Sequence, residues 1–114
     1  MTINRIVIHE KYGGRCAYCG HKITIKEMQV DHIHPRFLAH HKSGDINDPK
    51  NLNPSCRVCN KWKATYTVDE FRHELEMQIN RLRQRSASFR IAERFALIEP
   101  TYSTVVFYFE KEKP

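Results

Sequence analysis

Asp31-His32-Ile33-His34-Pro35 lies between two cysteine pairs, Cys16-Ala17-Tyr18-Cys19 and Cys56-Arg57-Val58-Cys59, and the second pair runs directly into Asn60-Lys61-Trp62-Lys63. The pairs are separated by 36 residues (20–55). That arrangement suits a tetrahedral Zn²⁺ site, in which each Cys-x-x-Cys forms a knuckle and turns both sulfurs toward one ion. Gly20, directly after the first knuckle, gives the backbone the freedom for a tight turn. Four thiolates fill the coordination sphere and leave no position for a substrate or an activated water, so the ion reads as structural: it helps a small domain fold. Disulfide pairing is the competing reading. It is disfavoured because the start, MTINRIVIHEKYGG, lacks the apolar centre of a signal peptide, and the chain is expected in the cytoplasm.

Outward from the knuckles, residues 3–12 place Ile3, Ile6, Val7 and Tyr12 at helical spacing, which predicts a short helix running into Gly13-Gly14. Ile23 and Ile25 alternate with polar neighbours, and 28–33 alternates again, which reads as a hairpin or two short strands ended by Pro35. Residues 37–54 are polar and rich in breakers and read as one long, functional loop, with His40 and His41 solvated on it. Asn53-Pro54-Ser55 reads as a turn and helix start, predicting a short helix over about 55–64. Trp62 on it reads as core in preference to a base-stacking residue.

Thr67-Val68-Asp69-Glu70 matches a capping box and opens a helix to about Arg85, with Val68, Phe71, Leu75, Ile79 and Leu82 on its apolar face. Ser86 or Ser88 caps a further helix that buries Phe89, Ala92, Phe95 and Ala96. Thr104 to Phe109 reads as a terminal β-strand by its β-branched and aromatic content. Its apolar edge would seek a partner within the fold or in a second copy, so the chain is expected as a monomer or homodimer.

The 114 residues carry 19 Lys and Arg against 13 Asp and Glu, a formal charge of +6, with 40% hydrophobic residues. This is the profile of one compact domain with a modest core, neither disordered nor membrane-spanning. The charge suggests a polyanionic partner. Arg57, Lys61 and Lys63, on the helix beside the second knuckle, are the candidate phosphate contacts. Arg81, Arg83, Arg85, Arg90 and Arg94 either extend that footprint or are simply solvated.

A zinc scaffold by itself needs nothing specific between its knuckles. The sequence of CxxC, Asp31-His32-Ile33-His34-Pro35, a variable loop, Asn51-Leu52, CxxC, then Asn60 with Lys63 three positions on, resembles the HNH endonuclease family over about residues 12–64. The resemblance implies an α+β fold with a ββα-metal, treble-clef-like core. The whole chain, 1–114, then reads as one domain with a helical and strand extension over about 65–114.

The resemblance also implies roles. Asp31 becomes a ligand of a catalytic divalent ion, His32 the general base that activates water, Asn51 the residue that orients the histidine and braces the loop, and Asn60 the second ligand. Asn60 stands where the eponymous pattern has histidine. An amide oxygen beside a carboxylate makes a hard site, which favours Mg²⁺ or Mn²⁺. The implied activity is hydrolysis of DNA phosphodiester bonds. Two other readings fit part of the sequence: a treble-clef zinc module that binds nucleic acid without cutting it, and a nuclease-derived adaptor that binds a protein through its C-terminal half.

Overall fold

Asn4 accepts hydrogen bonds from the backbone N–H groups of Ile6 and Val7 and so caps α1 (Arg5–Glu10). The computed structural model describes residues 3–35 and 46–112; His40, His41 and the first half of the 37–54 segment lie outside them. After α1 the first knuckle turns back on itself, closed by a bridge between Arg15 and Lys22. Gly20 sits there at φ +81°, and a Cβ at that position would meet the Tyr108 ring at 2.9 Å, so glycine serves both the turn and the close approach.

The sheet has two antiparallel strands, β1 (Gln29–His32) and β2 (Leu52–Ser55), with Asp31 opposite Asn53 and His32 opposite Leu52. Ile23 and Ile25 do not form a strand. Thr24 and Glu27 exchange hydrogen bonds through both backbone and side chain, and Met28 N–H reaches Thr24 O at 3.0 Å, so the chain turns there. This is the reciprocal Thr-x-x-Glu chemistry of a capping box, a signal present in the sequence.

β2 corrects the reading of 53–55 as turn and helix start. Pro54 is compatible with a strand because its carbonyl points away from β1, accepting from Ala17 N–H at 2.8 Å. The missing proline N–H lies on that same outer side and is not needed for the ladder. Cys56 then caps α2 (Arg57–Lys63), which completes a ββα unit.

Thr67 and Glu70 form the expected capping box at the start of α3 (Val68–Glu76). The helix does not continue unbroken to Arg85. At Met77 it stops and restarts as α4 (Gln78–Arg85), and the Gln78 side-chain amide takes the Glu74 carbonyl at 2.8 Å. Ser86 caps α5 (Ala87–Arg94), as expected, but no α5 residue is fully buried: Phe89 and Ala92 are half-buried and Phe95 just beyond the helix is 67% exposed. Periodicity shows which stripe of a helix is apolar, and only packing decides whether anything covers it. Arg83 holds Glu93 across α4 and α5, Nε to Oε1 at 2.9 Å.

The terminal segment is not a strand. Val105–Phe107 is irregular and leads into α6 (Tyr108–Lys111). Phe107 is buried, Val105 and Phe109 pack against the same cluster, and backbone groups of the segment pair with side chains and the knuckle. Val105 N–H donates to Glu76 Oε2 at 2.8 Å, Tyr108 N–H to Tyr18 O at 3.0 Å and Phe109 N–H to Ala17 O at 2.7 Å.

The larger buried cluster gathers Cys16, Ala17, Tyr18, Phe71 and Phe107. Tyr18 meets the Phe71 and Phe107 rings edge-on at 5.6 and 5.2 Å, while Phe71 and Phe107 stack at 5.2 Å. A second cluster, Ile8, Met28 and Leu52, joins α1 to the sheet. The core is thus built around the first knuckle and the strands. No helix among the described residues is long and apolar enough to cross a membrane.

Candidate active site

The two knuckles bring four sulfurs together. Cys16 and Cys19 come from the turn after α1, Cys56 from the cap of α2 and Cys59 from its first turn. Their Sγ atoms all lie within 4.8 Å of one another, and those of Cys19 and Cys56 are 3.8 Å apart. A tetrahedral ion with Zn–S bonds of about 2.3 Å sets its ligands about 3.8 Å apart, whereas a disulfide needs about 2.05 Å. The cluster therefore suits one metal ion, such as zinc.

Local electrostatics fit the same conclusion. A sulfur hydrogen bond from Cys59 pulls the Cys16 thiol down to about 4; burial opposes this, and backbone N–H groups of Cys56, Cys19 and Tyr18 reinforce it. Burial and the Cys16 charge push the Cys19 thiol up to about 11, against the His21 backbone N–H. Four sulfurs this close do not all ionise until a cation sits among them.

On the other side of α2 a concavity of about 310 Å³ is lined by Val30, Asp31, His32, Pro35, Asn60, Ala64 and Thr65. The ββα unit thus gathers Asp31, His32 and Asn60, which stand 29 residues apart along the chain (31 to 60). Asp31 is 4% exposed and engaged at both oxygens, by the Lys63 ammonium on Oδ1 at 3.1 Å and by the Tyr18 hydroxyl on Oδ2. Burial pushes its carboxyl above the usual carboxylate value, and the Lys63 charge and the Tyr18 hydroxyl act against that. Burial and the neighbouring Asp31 raise the Tyr18 hydroxyl, which therefore stays protonated and donates. Each carboxylate oxygen keeps lone-pair capacity after one hydrogen bond, and the Asn60 amide, lining the same concavity, offers a further oxygen of the kind hard divalent ions take.

His32 presents Nε2 to Asn47 Oδ1 at 2.8 Å. With that oxygen as acceptor, the ring proton sits on Nε2 and Nδ1 is the free nitrogen; the donor and acceptor roles follow the tautomer. Asn51 makes no hydrogen bond to the imidazole. Its Oδ1 accepts from His34 N–H at 2.9 Å, its Nδ2 donates to Ile46 O at 2.8 Å, and its own carbonyl accepts from Ile33 N–H at 2.8 Å. Asn51 braces the loop ends, and contact with the histidine comes from Asn47, a residue the sequence reading did not single out.

Two further expectations change. Lys63 is fully buried and also donates to the His32 carbonyl at 3.0 Å, so it is an internal ion-pair partner and does not reach a phosphate at the surface. Trp62 is 48% exposed and is not core. Arg57 and Lys61 are exposed on α2, as the phosphate-contact reading requires. Tyr18 was missed because its role depends on where the knuckle packs. Asn53, read as a turn residue, is fully buried, with Nδ2 3.5 Å from the Tyr18 hydroxyl.

Comparison with known proteins converges on one family. Residues 16–65 match the family described as HNH endonuclease. The CRISPR-associated endonuclease Cas9 of Corynebacterium diphtheriae is 40% identical over 50 residues, which cover 44% of this chain and 4% of that protein. The crystal structure of the Type II-C Cas9 enzyme from Actinomyces naeslundii aligns with a TM-score of 0.52 and 30% identity, over 62% of this chain and 8% of that one. The chain thus spans less than a tenth of the length of either relative. The residues that match the HNH endonuclease family, 16–65, hold both knuckles, β1, β2 and α2.

Proposed function

We propose that this chain is a metal-dependent endonuclease that hydrolyses DNA phosphodiester bonds, with a separate structural zinc held by Cys16, Cys19, Cys56 and Cys59. The observation that carries the reading is the convergence of Asp31, His32 and Asn60 on one concavity beside a four-sulfur cluster.

In this reading His32 is the general base. With its proton held on Nε2 by Asn47, Nδ1 takes a proton from water, and an imidazole suits that transfer near neutral pH. Asp31 and Asn60 would hold Mg²⁺ or Mn²⁺, and Lys63 and Tyr18 keep the Asp31 carboxylate in place. Such an ion would supply charge stabilisation to the phosphoryl group and its leaving oxygen. Asn51 holds the ends of the loop that carries Asn47. Arg57 and Lys61, exposed on α2, meet the phosphate backbone, in keeping with the net charge of +6.

The test is cleavage of supercoiled plasmid with Mg²⁺ or Mn²⁺. Wild type nicks or linearises it and His32→Ala does not. Salt-sensitive binding with no cleavage under either ion would overturn the reading in favour of a non-catalytic nucleic-acid-binding module.

A further inference from the structure

Trp62 is the one tryptophan of the chain, and its indole is half exposed although it follows the candidate ligand Asn60 by only two residues. It lines a concavity of about 430 Å³ together with Gln78, Arg81, Leu82 and Arg85 of α4. That volume is in the range of roughly 300–1,000 Å³ typical of small-ligand sites. The indole also lines an apolar concavity with Cys59, Phe71 and Leu75, and on the α4 side it shares its groove with two arginines.

Their states differ. Arg81 is oriented by Glu74, Nη1 to Oε2 at 2.7 Å, so it offers directed N–H groups more than net charge. Arg85 is exposed and has no ion-pair partner among the described residues. An aromatic face flanked by guanidinium groups complements a base stacked on the ring with its phosphate held alongside.

The geometry of α2 links this groove to the active site. With about 3.6 residues per turn, Cys59 and Lys63 occupy the covered side of the helix. The exposed sweep runs from Asn60 through Arg57 and Lys61 to Val58 and Trp62. The two cations are thus interposed between the concavity that holds Asp31 and the one that holds Trp62, as a track for a polyanionic strand requires. Stacking on an indole needs a base free of its partner, which a continuous duplex does not supply.

We propose that the groove formed by Trp62, Gln78, Arg81, Leu82 and Arg85 binds an unpaired nucleotide of the DNA strand that enters the active site. The proposal rests on the nuclease reading and names how that site holds its substrate.

Because Trp62 is the sole tryptophan, its emission reports on this groove without a label. A dye-labelled single-stranded DNA of about 12 nucleotides is titrated into the full chain in buffer without added Mg²⁺ or Mn²⁺, following dye anisotropy and Trp62 emission together. Quenching should track binding and be reversed by salt. Trp62→Ala should weaken binding about five- to a hundredfold. Trp62→Phe should restore most of it, and Arg85→Glu should weaken it and flatten its salt dependence. Circular dichroism verifies that the variants keep the wild-type fold, which the exposure of both side chains favours.

Binding with no change in Trp62 emission, or unchanged affinity in Trp62→Ala, overturns the proposal. Equal quenching by a blunt duplex overturns the unpaired-base assignment, and stronger quenching by RNA of the same sequence overturns the choice of DNA. Plasmid cleavage separates the two readings. Cleavage without quenching removes only the groove proposal, whereas quenching without cleavage keeps the strand site and removes the nuclease.

Discussion

The Lys63 ammonium lies 3.1 Å from Oδ1 of Asp31, with the lysine fully buried and the aspartate 4% exposed. A buried pair of this kind is costly to break, because removing one partner leaves an uncompensated charge in the interior. The pair also ties the end of α2 to β1, since the same nitrogen donates to the His32 carbonyl at 3.0 Å.

Lys63→Met should therefore destabilise the protein by about 3–5 kcal/mol. Replacing both partners, Asp31→Leu with Lys63→Met, should recover much of that stability without restoring cleavage. Urea unfolding of the single and double variants measures the difference. If the double variant is no more stable than Lys63→Met, the buried charge is not the source of the loss.

Tyr18→Phe removes the hydroxyl that donates to Asp31 Oδ2 and keeps the ring that packs against Phe71 and Phe107. The expected cost is about 1–3 kcal/mol, that of a buried acceptor deprived of its donor, with the metal content of the knuckles unchanged. Denaturant unfolding and elemental analysis on the same sample check both halves of the statement.

One zinc per chain should be found by elemental analysis, and Cys56→Ser should release it together with the fold. Strong chelators should act like the substitution, because binding at such a site is part of the folding free energy. Zinc that stays bound after Cys56→Ser would contradict ligation by all four cysteines.

The Arg72 guanidinium, donating to both oxygens of Glu110 at 2.8 and 2.6 Å, holds that carboxyl below its usual range, assisted by Phe107 N–H. A lowered folded-state value means the stabilisation is present above the unfolded value of about 4.3 and is lost as pH falls through the folded one. Glu110→Gln should thus melt at a lower temperature than wild type near pH 7, and the two should converge below about pH 4. A difference that persists at low pH would place the effect elsewhere than in the charge.

The elements legible in the sequence were those specified by local chemistry. The Thr67 to Glu70 capping box and the Ser86 cap each satisfy backbone donors within a few residues, so the helix starts at 68 and 87 follow from short motifs. β2 was not legible, because Pro54 reads as a breaker until its carbonyl is seen to face Ala17. The terminal segment failed in the opposite way. Val105, Phe107 and Phe109 have strand composition, yet they cover the first knuckle, and Glu76 and Arg72 take the backbone groups a neighbouring strand would have taken.

For the site, cysteine spacing alone implied that four sulfurs meet, since knuckle geometry is local and one ion can close both halves. The motif residues Asp31, His32 and Asn60 were likewise legible as a group. Their partners were not. Lys63, Trp62, Lys61 and Arg57 are a cation–aromatic cluster on one short helix, and sequence alone does not separate a buried ammonium from an exposed one. Only the packing of α2 against β1 turned Lys63 inward to Asp31 and left Trp62 outward beside Arg85. Burial is a property of the surface a helix meets, and that surface is assembled from residues distant in the chain.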